Sequence, residues 1–137
     1  MPRFGRRSKE RLKGVHPDLI NVLNQVIKYY DITILEGVRS EERQVKLYKE
    51  GRSKLDGVKK KSKHQLGRAV DISPWPIDFD DTKGFVYLAG LMIATAKQLN
   101  IKLRWGGDWN GDHRLSGRGK RGDRSQTFDD LVHYEVK

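Results

Sequence analysis

Two histidines and two aspartates carry the chemistry this sequence offers. His64 and Asp71 stand seven positions apart around Gly67, in Ser62-Lys63-His64-Gln65-Leu66-Gly67-Arg68-Ala69-Val70-Asp71. His133 follows Asp130 by three positions, in Asp130-Leu131-Val132-His133-Tyr134-Glu135. Two imidazoles and one carboxylate are a familiar ligand set for a catalytic metal that keeps one position for water. These donors favour zinc over calcium or magnesium, which prefer all-oxygen shells. Such an ion polarises a carbonyl and lowers the pKa of water to about 7. The residue types are therefore read as a hydrolytic metal site, with His64, Asp71 and His133 on one divalent ion and Asp130 handling protons beside it. Blander readings compete: a lone histidine is commonly structural, and Asp71 also fits a turn or an ion pair. His16, before a helix proline, and His113, in a loop, are weaker candidates. No His-Glu-x-x-His is present, so the commonest zinc-protease helix is excluded.

These residues need elements to hold them. From Pro17, Leu19, Leu23, Val26, Ile27 and Tyr30 recur at helical spacing. Ile32 to Val38 is β-branched and reads as a strand ending at Arg39. Ser40 can cap a helix that runs to about Glu50 and stops at Gly51, with Glu41 and Glu42 in its first turn. A lysine-rich loop over 51–63 follows. Arg68 to Ser73 reads as a strand with Val70 and Ile72 toward the core and Asp71 on the other face. Residues 83–99 form an amphipathic helix, Ile101 to Trp105 a strand, and Leu131 to Val136 a last strand with His133 and Glu135 on one face. Asp130 has the wrong parity to share that face unless a turn or bulge precedes His133. Gly106 to Gln126 is a long charged, glycine-rich loop. The order of elements lacks a regular βαβ alternation, so the expected class is α+β: a small antiparallel sheet with helices packed on one side.

At 137 residues the chain is about one domain long. It is expected to be a single catalytic domain over 1–137, with 1–14 as a basic, solvated arm bearing Arg3, Arg6, Arg7, Lys9, Arg11 and Lys13. A formal charge of +10 points to polyanionic partners: nucleic acid, anionic lipid or an anionic cell wall. Without cysteine, thiolate ligands are excluded. No apolar signal segment is evident, so synthesis in the cytoplasm is expected.

The pattern Ser62-x-His64-x-x-Gly67-x-Ala69-x-Asp71, with Asp130-x-x-His133, resembles the zinc peptidases that include VanY-like D-alanyl-D-alanine carboxypeptidases and phage L-alanyl-D-glutamate endolysins. Gly37-Val38-Arg39-Ser40 and Leu103-Arg104-Trp105-Gly106-Gly107-Asp108-Trp109 look like segments of the phage members. The resemblance implies a hedgehog/DD-peptidase-like fold with one Zn2+ on His64, Asp71 and His133. It implies Asp130 as general base and then acid, Arg39 as oxyanion or carbonyl stabiliser, Ser62 as an orienting residue, and Trp105 and Trp109 framing the pocket. The implied substrate is bacterial peptidoglycan, cut between L-alanine and D-glutamate in the periplasm by a monomer with no protein partner. Its positive surface would adhere to the anionic wall or outer membrane. A D-alanyl-D-alanine carboxypeptidase and a non-catalytic basic binding module are the alternatives. Two points stay open: Asp129 adjoins Asp130, and Asp112, His113 and Asp123 offer a second cation site.

Overall fold

The computed structural model describes residues 2–113 and 130–137. Its elements are α1 (Arg6–Arg11), α2 (Pro17–Val26), β1 (Ile32–Glu36), α3 (Glu41–Lys49), β2 (Ala69–Pro74), α4 (Thr82–Gln98), β3 (Leu103–Gly106) and β4 (Asp130–Val136). The four strands form one sheet in the order β1-β2-β4-β3, and every pair is antiparallel. The expected α+β class is therefore the observed one.

Local signals act where they were expected. Pro17 occupies the first turn of α2, and Ser40 accepts from Arg43 N at the start of α3. At the end of α4, Asn100 takes φ 59, Asn100 N donates to Lys97 O and Ile101 N donates to Ala96 O. This left-handed stop uses Ile101 to finish the helix. It explains why β3 begins at Leu103 and not at Ile101.

One face of the sheet carries Ile34, Val70, Ile72, Trp105, Tyr134 and Val136, all buried with Leu19, Leu23, Leu88 and Met92 of α2 and α4 in a common core. The opposite face follows from the register, in which Glu36 pairs with Asp71 and Asp71 with His133. Glu135 lies between Ala69 and Arg104 on its two neighbours. The apolar side is thus taken up by packing, which leaves the polar side for chemistry.

The N-terminal arm departs from its expectation. It folds into α1, burying Ser8, Leu12 and Val15 against the start of the sheet. Ser8 Oγ accepts from Ile34 N at 3.1 Å, and Arg11 donates to Ile34 O at 2.8 Å. These bonds occupy backbone groups on the outer side of β1, an edge strand whose unpaired groups would otherwise invite association. The basic residues of the arm misled because the inward stripe is short, Phe4, Ser8 and Leu12 at four-residue steps, and the charges occupy the rest of its surface. Ser8→Ala should cost about 1–3 kcal/mol in urea unfolding, because it strands a buried N–H.

No helix among the described residues is long and apolar enough to cross a membrane.

Candidate metal centre

His64 sits in a run of tight turns between α3 and β2. Gln65 N donates to Ser62 Oγ at 3.3 Å and Ser62 N to Gln65 Oε1 at 2.9 Å, a reciprocal clasp that holds the turn. Gly67 closes it at φ +71, and a Cβ there would stand 2.5 Å from Gly14 O. Only glycine meets both conditions. The buried imidazole of His64 places Nδ1 2.9 Å from Gly37 O. A carbonyl only accepts, so Nδ1 carries the proton and Nε2 is the basic nitrogen. That Nε2 lies 3.2 Å from Asp71 Oδ1.

His133 Nδ1 approaches the same Asp71 oxygen at 3.3 Å from the neighbouring strand. Its Nε2 meets Glu135 Oε1 at 2.8 Å, and Arg104 holds the other Glu135 oxygen at 2.7 Å. Ligand atoms of His64, Asp71 and His133 all lie within 4.8 Å of one another. Metal bonds of about 2.0–2.1 Å at tetrahedral angles separate ligand atoms by about 3.3 Å. The two spacings to Asp71 match that edge, and the two imidazole nitrogens lie within 4.8 Å of each other, so a small shift of either ring would bring all three donors onto one small cation. The Glu135 carboxylate behind His133 and the Gly37 carbonyl behind His64 are the outer partners that orient metal-binding imidazoles.

The electrostatics agree. Burial pushes the Asp71 carboxyl up, but hydrogen bonds with His133 and His64 outweigh it and hold Asp71 well below the usual carboxylate range. Burial opposes the charge of His133, while Asp71 and Glu135 raise it to about 9. Asp130 moves the opposite way from Asp71, raised by burial and then by the charge of Asp71, with His133, His64 and Arg39 pulling it back. A carboxyl lifted toward neutrality beside three convergent donors suits proton transfer.

Asp130 reaches this place through the irregularity its parity required. Trp105 pairs with Tyr134, but the next residue, Gly106, pairs with Asp130. A Cβ on Gly106 would lie 2.1 Å from Asp130 O, so the close approach requires glycine. Asp129 lies outside the described residues.

Arg39 is held at the junction of β1 and α3. Its Nε donates to Glu36 Oε1 at 2.6 Å and its terminal nitrogen to Gln44 Oε1 at 2.8 Å. Gln44 is fully buried and donates onward to Ser53 Oγ and Leu55 O, which ties the lysine-rich loop to Arg39. Burial raises the Glu36 carboxyl, but Arg39 outweighs it and lowers it overall.

Trp105 corrects the expectation that it frames the pocket. It is 3% exposed, stacks near Tyr134 in the core and donates to Leu131 O, because its parity on β3 sends it toward the helices. Trp109 does lie beside the site, its ring 5.3 Å from that of His133 and under the Arg104 guanidinium. The Ser62 hydroxyl is engaged in the turn under His64. Of the second-cation residues, His113 N donates to Asp108 Oδ2 and Asp112 N to Asn110 Oδ1, while Asp123 lies outside the described residues. Among the described residues, His64, Asp71 and His133 are the one group of three whose ligand atoms converge.

Glu36, Gln44, Arg104 and Glu135 were missed as site residues. The signal for Glu135 was its two-residue step from His133 on one strand face; Glu36 and Gln44 lie three and five residues from Arg39, a local signal, and only Arg104 depends on pairing across strands. Glu135→Gln should weaken metal affinity about 10- to 100-fold in a chelator competition, with little change in fold.

The comparisons with known proteins point the same way. A family model described as phage L-alanyl-D-glutamate peptidase matches residues 1–136. The L-alanyl-D-glutamate peptidase of Escherichia phage T5 is 34% identical over 125 residues, covering 88% of this chain and 90% of that protein. The crystal structure of the Serratia marcescens L-Ala D-Glu endopeptidase ChiX superposes with a TM-score of 0.75 at 26% identity, over 98% of this chain and 90% of that one. The D,D-pentapeptidase VanY of a VanB-type vancomycin-resistance cassette, in complex with Zn(II), shares the fold at a TM-score of 0.51 and 16% identity, over 89% and 72% of the two chains. With its convergent donors and a family match along nearly its whole length, the chain belongs to the phage L-alanyl-D-glutamate peptidases.

Proposed function

We propose that the chain is a zinc-dependent endolysin that hydrolyses the L-alanyl-D-glutamate bond of peptidoglycan stem peptides, with one ion on His64 Nε2, Asp71 and His133 Nδ1. The observation that carries this reading is the convergence of both imidazoles on one Asp71 oxygen, at 3.2 and 3.3 Å. When bound, the ion supplies a Lewis acid that polarises the scissile carbonyl and acidifies water.

The chain's own residues do the rest. Asp130 takes a proton from water as its oxygen bonds to the alanyl carbon, and returns a proton to the glutamate nitrogen as the C–N bond breaks. Its raised affinity for protons supports both halves of that cycle. Arg39, fixed by Glu36 and Gln44, offers its charge to the carbonyl oxygen without having to reorganise. Trp109 forms one wall beside His133, and Ser62 acts by holding the His64 turn.

The endolysin is made in the host cytoplasm and acts in the periplasm as a monomeric single domain. Its positive charge supports adhesion to the anionic wall. Adhesion to isolated wall should fall as salt shortens the screening length from about 10 Å at 0.1 M to about 3 Å at 1 M.

The test is elemental analysis of purified protein, paired with digestion of purified peptidoglycan before and after chelation. One zinc per chain, with activity lost on chelation, restored by zinc, and new D-glutamate amines in the products, is the expected result. Release of free D-alanine instead would make the enzyme a carboxypeptidase. No metal and no digestion would discard the peptidase mechanism.

A further inference from the structure

Beyond the sheet end that carries Asp71, residues 75–83 are all exposed. Trp75 is 57% exposed and Phe79 66%, and Tyr87, one turn into α4, is 61% exposed. Short links connect them: Phe85, stacked under Phe79, is two residues from Tyr87, and Tyr30, against Tyr87, adjoins Asp31, the backbone partner of Trp75. Trp75 N donates to Asp31 O at 3.0 Å and continues the β1–β2 pairing by one step. Phe79 stacks on Phe85 at 6.3 Å with rings 11° apart, and Tyr87 lies against Tyr30 at 5.1 Å. Single exposed aromatics are ordinary, but adjoining ones on a small protein mark a contact surface.

The charge of this surface narrows the partner. No Lys or Arg occurs between Arg68 and Lys83, while Asp78, Asp80 and Asp81 are interleaved with the aromatic residues. In a chain of net charge +10, this is a local reversal of sign. Anionic lipid, nucleic acid and wall phosphates would be repelled here. A neutral polymer with apolar C–H faces and many hydroxyls is favoured: the C–H faces stack on the electron-rich ring faces, and hydroxyls donate to the carboxylates.

The position is also suitable. Trp75 lies one residue past the end of β2 and four beyond Asp71, about 13 Å away at strand spacing. On the reading proposed above, one residue separates the scissile bond from the sugar-linked acyl group, so the first sugar lies within about 7 Å of the bond. A glycan several sugars long can span the remaining distance to Trp75.

We propose that Trp75, Ile77, Phe79 and Tyr87, with Asp78 and Asp80, form a platform that binds the glycan strand of the substrate. The inference rests on the peptidase reading for its geometry, and its test separates the two. The Trp75→Ala/Phe79→Ala double variant removes two side chains that are more than half exposed, and its melting temperature is measured beside the parent's because Phe79 also covers Phe85.

Two hydrolysis rates are compared, on a sugar-free L-alanyl-D-glutamate stem peptide and on the same peptide attached to a glycan. Binding of peptide-free oligomers of N-acetylated amino sugars is measured separately by isothermal titration calorimetry, which does not depend on the substituted tryptophan. The expected result is a rise of about tenfold in KM for the glycan-linked substrate, an unchanged rate on the free peptide, and loss of oligosaccharide binding. Equal losses on both substrates, or none on either, would overturn the platform. So would binding of the parent to anionic lipid vesicles that the variant loses while its glycan binding persists. If the parent binds the oligosaccharide through these residues but cleaves neither substrate, the glycan site stands and the peptidase reading fails.

Discussion

Asp130→Asn should retain metal and fold while its turnover on peptidoglycan falls by about 10²- to 10⁴-fold, the usual contribution of a positioned acid–base group. The substitution keeps the shape of the side chain and removes only its ability to gain and lose a proton. Burial and the Asp71 charge already disfavour the ionised form, so removing that charge relieves repulsion and should not lower the melting temperature. The check is parallel: zinc content, thermal melting and the rate of peptide release on one preparation. Full activity in Asp130→Asn, with activity lost in Asp129→Asn, would move the role by one residue.

His64→Ala, Asp71→Asn and His133→Ala should each abolish stoichiometric metal and, with it, the stabilisation that metal gives. A ligand present at about 1,000 times its Kd contributes about 4 kcal/mol. The expected signature is a melting temperature that chelator lowers in the parent and leaves unchanged in each variant. The effect also has a pH dependence whose sign is determined. His133 holds a proton up to about pH 9 in the metal-free protein, and only its neutral form can ligate. Metal uptake at neutral pH must therefore release that proton, and apparent affinity should rise with pH until about 9. Isothermal titration in buffers of different ionisation enthalpy would detect the proton; affinity that falls as pH rises from 6 to 8 would contradict the ligand assignment.

Several features of this centre are legible in the amino-acid sequence alone. The seven-residue step from His64 to Asp71, the three-residue step from Asp130 to His133, and Gly67 between the first two are local, and local spacing is written in the chain. The same holds for the Ser40 cap and the apolar stripes of α2 and α4, because a helix depends on residues three and four apart. Strand parity also placed Asp71 and His133 away from the apolar faces of their strands.

Tertiary structure decided what local spacing cannot carry. That β2 and β4 are neighbours, with Asp71 opposite His133, depends on pairing across 62 residues. The bulge that brings Asp130 to Gly106 arises between β3 and β4, and the hold of Arg104 on Glu135 arises from the same strand pair. Trp105 went to the core because the fold covers its side of β3, and the basic arm became α1 because the β1 edge needed partners. The ligand types and the helices were determined by the sequence within a few residues of each position. Which strands meet, and therefore which side chains share one ion, was decided only when the apolar faces were buried together.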